Sequence, residues 1–559
     1  MKRAGWQPAK SRSFQIGTKG KSNMKKMAIA SMTAMLAAAT VAAGCSTKEG
    51  ETPKPSGGQS AQPSTSASPQ SAARKPGDLP LTNEQAELRI ATYDNLYTPK
   101  SYAQNLPVFQ EIEKRTNVKI KWEVFPAAQA QTVIDTMFAA GSNLPDIVFG
   151  ANDIAKLNEG GQIHDLKPFI EKFAPNIQKL YKEMPMVRAL TTDPNGAILS
   201  IPIVALSEDF RPTYLIRQDW LDKVGKKVPT TIDELVDVLK AFRDNDPNGN
   251  GQKDEIPLAF PPGFMDFIAS SFDTHPRGNF YPDANGRIEY VPITDKYKEY
   301  IKFLNMLYTE KLMDPSFATS TNDKFNAMIS GSVTGVAIQY MGNLVPFETS
   351  SKGQWTGFVF PKGPSGKAYA ERVAPISGGA VITKQSKNPQ LAVEFIDYIM
   401  ATEDGKRFAN WGMEGTSYKN ENGKLSFTDY MLNNKEIPDP LRALGGNWNL
   451  PRVQALDTAK ILNGEKVSKL NDELKKIMVD AYPASQIPMT KEEKASLNEG
   501  WADMETYKSE MVTKFIMGKA NFDKDWDTYV SKMKQLGIEG KIKIEQGKYE
   551  RYSKIMKGN

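Results

Sequence analysis

The chain has 559 residues, with 71 lysines and arginines against 65 acids, and only one cysteine. A single thiol excludes disulfides and thiolate metal sites, and the length exceeds what one hydrophobic core can hold, so two or more lobes are expected. Residues 1–44 carry eight basic residues and no acid, and the remainder has 63 basic residues against 65 acids, a net of −2. The overall basicity is therefore no argument for a nucleic-acid partner.

Lys25 and Lys26 open a charged start, Met27 to Ala43 is a small, apolar run, and Ala42-Ala43-Gly44 leads into Cys45. This is the pattern of a secretory signal, in which a positive end stays behind, an apolar segment enters the bilayer and small residues precede the cut. The run is shorter and less apolar than a membrane span of about 20 residues requires. It resembles a bacterial lipobox, with Ala42 where leucine is commonest. That resemblance implies that Cys45 is acylated, becomes the new N-terminus and holds the protein at the extracellular face of the cytoplasmic membrane. Residues 1–23 precede a complete signal and read as an upstream extension, with translation starting at Met24 and the signal peptide spanning 24–44. Residues 45–86 then form the lipidated end and a Ser, Pro and Gly-rich linker too poor in large apolar residues to fold.

From Glu87 to Asn559 the pattern is that of a folded domain. Leu88 to Tyr93 reads as a strand, Tyr102 to Lys114 as a helix, Val118 to Phe125 as an alternating strand, Ala128 to Ala140 as a helix and Asp146 to Phe149 as a strand. Such alternation predicts βαβ units and a largely parallel sheet, whose carboxyl-end loops are where ligands settle. Tyr214 to Arg217 is the next strand. Thr231 and Glu234 predict a capping box for a helix with Ile232, Leu235, Leu239 and Phe242 on one face. A helix after Thr294, a strand over Thr334 to Tyr340, a strand over Gly379 to Lys384 and a helix capped by Asn388-Pro389 follow. No internal repeat is visible.

Asp244 to Glu255 (DNDPNGNGQKDE) carries the sharpest local chemistry, because hard cations need several oxygens at short spacing on a turning backbone. An EF-hand-like register starts at Asp244. A tighter register starts at Asp246 and uses Asn248, Asn250, the Gln252 carbonyl, Asp254 and Glu255. The second is preferred, because it takes both late carboxylates and leaves Asp244 at the helix end. Either way a structural Ca2+ is expected, against the alternative of a plain Asn/Gly turn.

Catalytic constellations are poor. His164 and His275 have neither an HExxH neighbour nor a Gly-x-Ser-x-Gly elbow, and read as surface or turn residues. Trp122, Trp220, Trp355, Trp411, Trp448, Trp501 and Trp526 are spread through the folded part. Aromatic faces suit sugar rings, although core packing is the commoner fate of each ring.

Leu144-Pro-Asp-Ile147, Arg217-Gln-Asp-Trp-Leu-Asp-Lys223, Pro229 to Glu234, Asp246 to Pro257, Trp411-Gly-Met-Glu-Gly415 and Phe515-Ile-Met-Gly518 together resemble the extracellular solute-binding proteins, family 1, of carbohydrate importers. The resemblance runs from about Leu88 to the C-terminus. It implies an α/β, two-lobed periplasmic-binding-protein-like fold with a hinge and an interlobe cleft. It also implies a monomeric, non-enzymatic lipoprotein that captures a carbohydrate and delivers it to ABC transporter permeases. No Walker A pattern is present, so the ATPase is a separate chain. The rival readings are a surface-anchored glycoside hydrolase and a cell-wall adhesion protein.

Ligand residues are expected just past strand ends: Tyr93 and Asp94, Asn152, Arg217, Tyr340 and Asn343. Trp411 and Glu414 are added where the resemblance suggests a contact. Tyr340 and Trp411 would stack on sugar rings, and Asn152, Asn343, Glu414 and Arg217 would bond hydroxyls or a carboxylate. The alternative for Arg217 is a salt bridge with Asp219.

Overall fold

The computed structural model describes residues 74–94, 100–151, 153–205, 212–372, 375–434, 436–437 and 439–558. The upstream extension, signal peptide, Cys45 and most of the linker lie outside them, as does Asn152.

The first lobe begins with β1 (Ala86–Asp94), α1 (Pro107–Thr116), β2 (Val118–Pro126), α2 (Ala130–Ala140) and β3 (Ile147–Phe149). In β2 the alternation works as the sequence dictates, with Val118 and Ile120 buried and Lys119 and Lys121 exposed. The helix expected over 102–114 is split. Residues Tyr102–Gln104 form one 3-10 turn, Asn105 takes the left-handed conformation, and Pro107 restarts the chain as an α-helix from its first turn. Next come α3 (Ile154–Glu159), α4 (Lys167–Phe173), α5 (Pro175–Glu183), α6 (Pro185–Thr191) and β4 (Ile201–Ala205).

The chain then crosses into a second lobe, with β5 (Pro212–Arg217), α7 (Gln218–Val224), α8 (Ile232–Asp244) and β6 (Ile256–Ala259), then α9 (Asp295–Thr309), α10 (Asn322–Ser330), β7 (Thr334–Tyr340), α11 (Leu344–Ser351) and β8 (Trp355–Phe358). Leu235, Val238, Leu239 and Phe242 bury one stripe of α8. The expected capping box is displaced by one residue. Thr231 accepts from the Glu234 amide, but the Glu234 carboxylate accepts from the amide of Thr230 instead of Thr231.

The chain returns to the first lobe as β9 (Ile376–Ile382), α12 (Pro389–Ala401), α13 (Glu403–Trp411) and β10 (Val453–Gln454), and crosses once more through α14 (Leu456–Lys475). The last helices are α15 (Lys491–Asn498), α16 (Trp501–Ile516), α17 (Trp526–Gln535) and α18 (Ile538–Met556). Ile538 of α18 belongs to the second lobe's core, whereas Tyr552 and Ile555 pack with Ala189 and Leu190 of α6 in the first. One helix thus spans both lobes.

The first lobe's sheet has the order β10-β4-β9-β3-β1-β2 and the second lobe's sheet β8-β5-β7-β6. β1, β2 and β3 are parallel, but β9 runs antiparallel to both β3 and β4, so the first sheet is mixed. In the second, β5 runs antiparallel to β7 and β8, and β6 parallel to β7. Each sheet has its own apolar core.

The folded part starts earlier than Glu87. Leu81 is buried, its amide donates to the Thr116 carbonyl, and Arg74 forms a salt bridge with the buried Glu394 of α12. Three residues further along α12, Asp397 accepts from the Ile177 amide and the Asn176 side chain, capping the start of α5. α12 is buried on every side from Leu391 to Ala401, which is why its two acids need these partners.

Candidate ligand cleft and cation loop

Strand polarity fixes where the lobes meet. Ala205 ends β4 at the edge where β1 and β3 also end, and β9, being antiparallel, starts there with Ile376. In the second lobe, Pro212 pairs with Tyr340, so the start of β5 shares an edge with the ends of β7 and β6. The chain passes from one edge to the other between β4 and β5, and the β9 and β10 connections meet the same edge of the first lobe. Three connections thus run between these two edges, which is the arrangement of a two-lobed fold that binds at strand ends.

On the first lobe's rim, Tyr93 is half-buried with its ring 5.9 Å from Phe149, and its carbonyl accepts from Asn449 Nδ2. Asp94 accepts from the Tyr102 amide. On the second rim Tyr340 is 41% exposed and stands edge-on to Phe264 at 5.3 Å, with Asn343 three residues on. Each of these four expected residues stands at or just past a strand end on one of the two connected edges.

Two others do not. Arg217 ends β5, and because β5 is antiparallel its last residue lies about 17 Å from the cleft edge. Its Nε and Nη2 donate to the two oxygens of Asp219 at 2.8 and 2.6 Å, and its Nη1 to Ser332. All three nitrogens are committed, and the expectation of a ligand-reading guanidinium is corrected to a structural one. Trp411 is buried in a small cluster with Tyr418, Phe427, Met431 and Leu441, its ring 4.6 Å from Phe427, so it is a packing residue and not a stacking face. Glu414 is exposed on the same segment and accepts from the Tyr418 hydroxyl at 3.4 Å. Trp220, Trp355, Trp448 and Trp526 are core residues too.

Sequence reasoning missed a polar cluster behind Tyr93. Asn449 donates its amide to the Tyr102 hydroxyl and receives the Thr92 hydroxyl on its carbonyl. Beside it Arg452 is buried and donates to the Trp448 carbonyl, and its Nε has no partner among the described residues. Burial, together with the neighbouring charge of Arg442, pushes this guanidinium down to about 10. Nothing in Asn449-Leu-Pro-Arg452 alone signals that position. Both histidines are also less exposed than expected, and His275 lies flat between Tyr281 and Tyr369, with Nδ1 2.6 Å from Glu371.

The cation loop links α8 to β6. Asp244 is taken up by Arg243, whose Nε and Nη2 donate to its two carboxylate oxygens. Asp246 accepts from the amides of Gly249, Asn250 and Gly251, and Gly249 and Gly251 both take the left-handed conformation that such a tight winding needs. The side chains of Asn248 and Asn250 turn to Asp254. Both Glu255 oxygens are buried with no close hydrogen-bond partner among the described residues, and burial, with Asp254 and Asp246 nearby, pushes this carboxyl above the usual range against the opposing pull of the Glu255 and Asn248 amides. Among the described residues no three acid, histidine or cysteine side chains already converge as a metal site. The donor set is nonetheless all oxygen, with an orphaned carboxylate at its base, which fits a hard cation.

The family described as bacterial extracellular solute-binding proteins matches residues 98–406. The chain belongs to this family. It is a binding protein and not an enzyme, which removes the glycoside hydrolase reading. This solute-binding protein is 27% identical to the fructooligosaccharide ABC transporter substrate-binding protein FusA of Streptococcus pneumoniae, over 84% of this chain and 91% of the other. It is 25% identical to the polygalacturonan/rhamnogalacturonan-binding protein YtcQ of Bacillus subtilis, over 66% of this chain and 80% of the other. Among solved structures, the alginate-binding protein AlgQ2, in a form without calcium ion, matches with a TM-score of 0.64 at 25% identity, covering 84% of this chain and 99% of that one. FusA with kestose matches with a TM-score of 0.63 at 25% identity, over 84% and 99%, and an EF-hand mutant of FusA has been solved with fructo-nystose. Among the described residues, no helix is long and apolar enough to cross a membrane.

Proposed function

We propose that this solute-binding protein captures an oligosaccharide in the cleft between its two lobes and hands it to an ABC transporter permease, while an acylated Cys45 holds it at the extracellular face of the cytoplasmic membrane. The observation that carries this reading is the pair of strand edges, one bearing Tyr93 and Asp94 and the other Tyr340 and, just past it, Asn343, between which the chain crosses three times. Such a cleft can close on a ligand and enclose it between an aromatic ring and polar groups. The relatives named for fructooligosaccharide, polygalacturonan and alginate support an oligosaccharide as the solute class.

The loop from Asp246 to Glu255 holds a structural Ca2+, through Asp246, Asn248, Asn250, the Gln252 carbonyl, Asp254 and Glu255. The pairing of both Asp244 oxygens with Arg243 supports the register that starts at Asp246. A bound cation there offsets the repulsion among carboxylates and pins α8 to β6.

A thermal-shift series with kestose, arabinooligosaccharides, oligogalacturonates and alginate oligomers tests the solute class, because a ligand that binds only the folded state raises its melting temperature. One of these sugars should raise Tm in a saturable way and be recovered intact. If none does, while short peptides do, the reading is wrong.

A further inference from the structure

A groove of about 470 Å³ lies between α4, α5 and α6 of the first lobe and the end of α18. Its floor is apolar, with Ile170, Tyr181, Ile198, Ile487 and Tyr552 buried. Its rim carries Lys167, Lys182, Arg188, Arg551 and Lys554 against Glu171 and Asp193. Arg551 is taken up by a two-point salt bridge with Glu493, and the Asp193 carboxylate by the amides of Asn195 and Ala197. Lys182, Arg188 and Lys554 are exposed. The groove therefore joins an apolar floor to an excess of cations at the rim.

Its position gives that chemistry a partner. The chain enters the folded part through Arg74 on Glu394, and Gly77 lies against Pro175 at the start of α5. Lys182 sits seven residues along the same helix, about 10 Å away. The 29 residues from Cys45 to Ala73 span at most about 100 Å on any path, so a bilayer holding Cys45 is within reach of this face.

We propose that this groove docks on anionic phospholipid at the membrane surface, with the rim cations on headgroup phosphates. The proposal rests on the reading that Cys45 anchors the protein. Docking would orient the tethered protein with its first lobe toward the bilayer. The cleft is left free.

The test uses the mature chain with Cys45→Ser, so that no acyl group contributes, in co-sedimentation with vesicles of phosphatidylcholine alone or with phosphatidylglycerol. The protein should partition onto the phosphatidylglycerol vesicles and come off in high salt. Lys182→Glu with Arg188→Glu should weaken partition by about tenfold or more, whereas the same charge change on β2, Lys119→Glu with Lys121→Glu, should leave it unchanged. Equal melting temperatures would show that both variants fold. No partition of the parent, or equal losses in the two double variants, overturns the proposal. Acylation of Cys45 in cells, read separately by mass, tests the anchor reading and distinguishes its failure from failure of the docking site.

Discussion

Arg217 and Asp219 form a two-point salt bridge, Nε to Oδ1 at 2.8 Å and Nη2 to Oδ2 at 2.6 Å, with the arginine buried at the non-cleft end of β5. Trp220 and Trp355 flank the guanidinium at 5.0 and 5.9 Å. Arg217→Ala leaves a part-exposed carboxylate unpaired beside a cavity, so it should lower unfolding stability by about 2 to 4 kcal/mol and leave the sugar affinity of the folded fraction unchanged. Burial alone would raise the Asp219 carboxyl, but the hydrogen bonds and charge of Arg217 hold it below the usual value. The pair's contribution is therefore present above the unfolded carboxylate value near 4 and fades as pH falls below it. Urea unfolding at pH 7 and pH 3 should show the gap between parent and variant shrinking in acid. A sugar affinity that collapses in the folded variant would place Arg217 back in the cleft.

Tyr340 and Trp411 separate in the opposite sense. Tyr340 is exposed at the end of β7, and the proposed cleft predicts that Tyr340→Ala costs about 1 to 3 kcal/mol of sugar affinity with little change in Tm. Trp411→Ala empties a packed cluster and should cost about 3 to 5 kcal/mol of stability. Calorimetric titration beside thermal melting measures both quantities on each variant.

How far the sequence carried depends on what each element needs. The strand and helix alternation of the first lobe, the caps at Thr231, Thr294 and Asn388, and the Thr334 strand were all legible, because their signals are local. The direction of β5 was not. Nothing in Tyr214-Leu-Ile-Arg217 tells whether the strand runs with or against its neighbour, and that polarity alone moves Arg217 from the cleft to the opposite edge. Trp411 failed for a related reason: its cover, Phe427, arrives from a hairpin sixteen residues downstream. Tyr93 and Tyr340 do stand near or at the ends of β1 and β7, at the two edges that the lobe-to-lobe connections join, because those strand ends were read from local signals.

The cation loop predicts a chelation effect. Removing calcium from the purified protein should lower Tm, and restoring it should recover Tm in a saturable way. Glu255→Gln takes away the orphaned carboxylate and should weaken that recovery without abolishing the fold. A melting curve indifferent to chelation, from protein that contains no metal by elemental analysis, would return the loop to an ordinary turn.

Asp397 supplies a second pH signature. Burial raises its carboxyl to about 6 despite the hydrogen bonds from Asn176 and Ile177. A folded value above the unfolded one near 4 means that the native state holds the proton more tightly, so stability should fall as pH rises from about 4 to about 6. Asp397→Asn should flatten the stability profile in that window, and an unaltered profile would show that the carboxyl titrates normally.

Closure of the two lobes on an oligosaccharide is best measured by small-angle X-ray scattering of the purified protein, titrated with whichever sugar raises its Tm. Hinge closure across the Tyr93 and Tyr340 rims predicts a fall in the radius of gyration that saturates with the binding isotherm and is lost in step with affinity in Tyr340→Ala. Saturated sugar with an unchanged radius of gyration, or full closure with unaltered affinity in that variant, would contradict this account of the cleft.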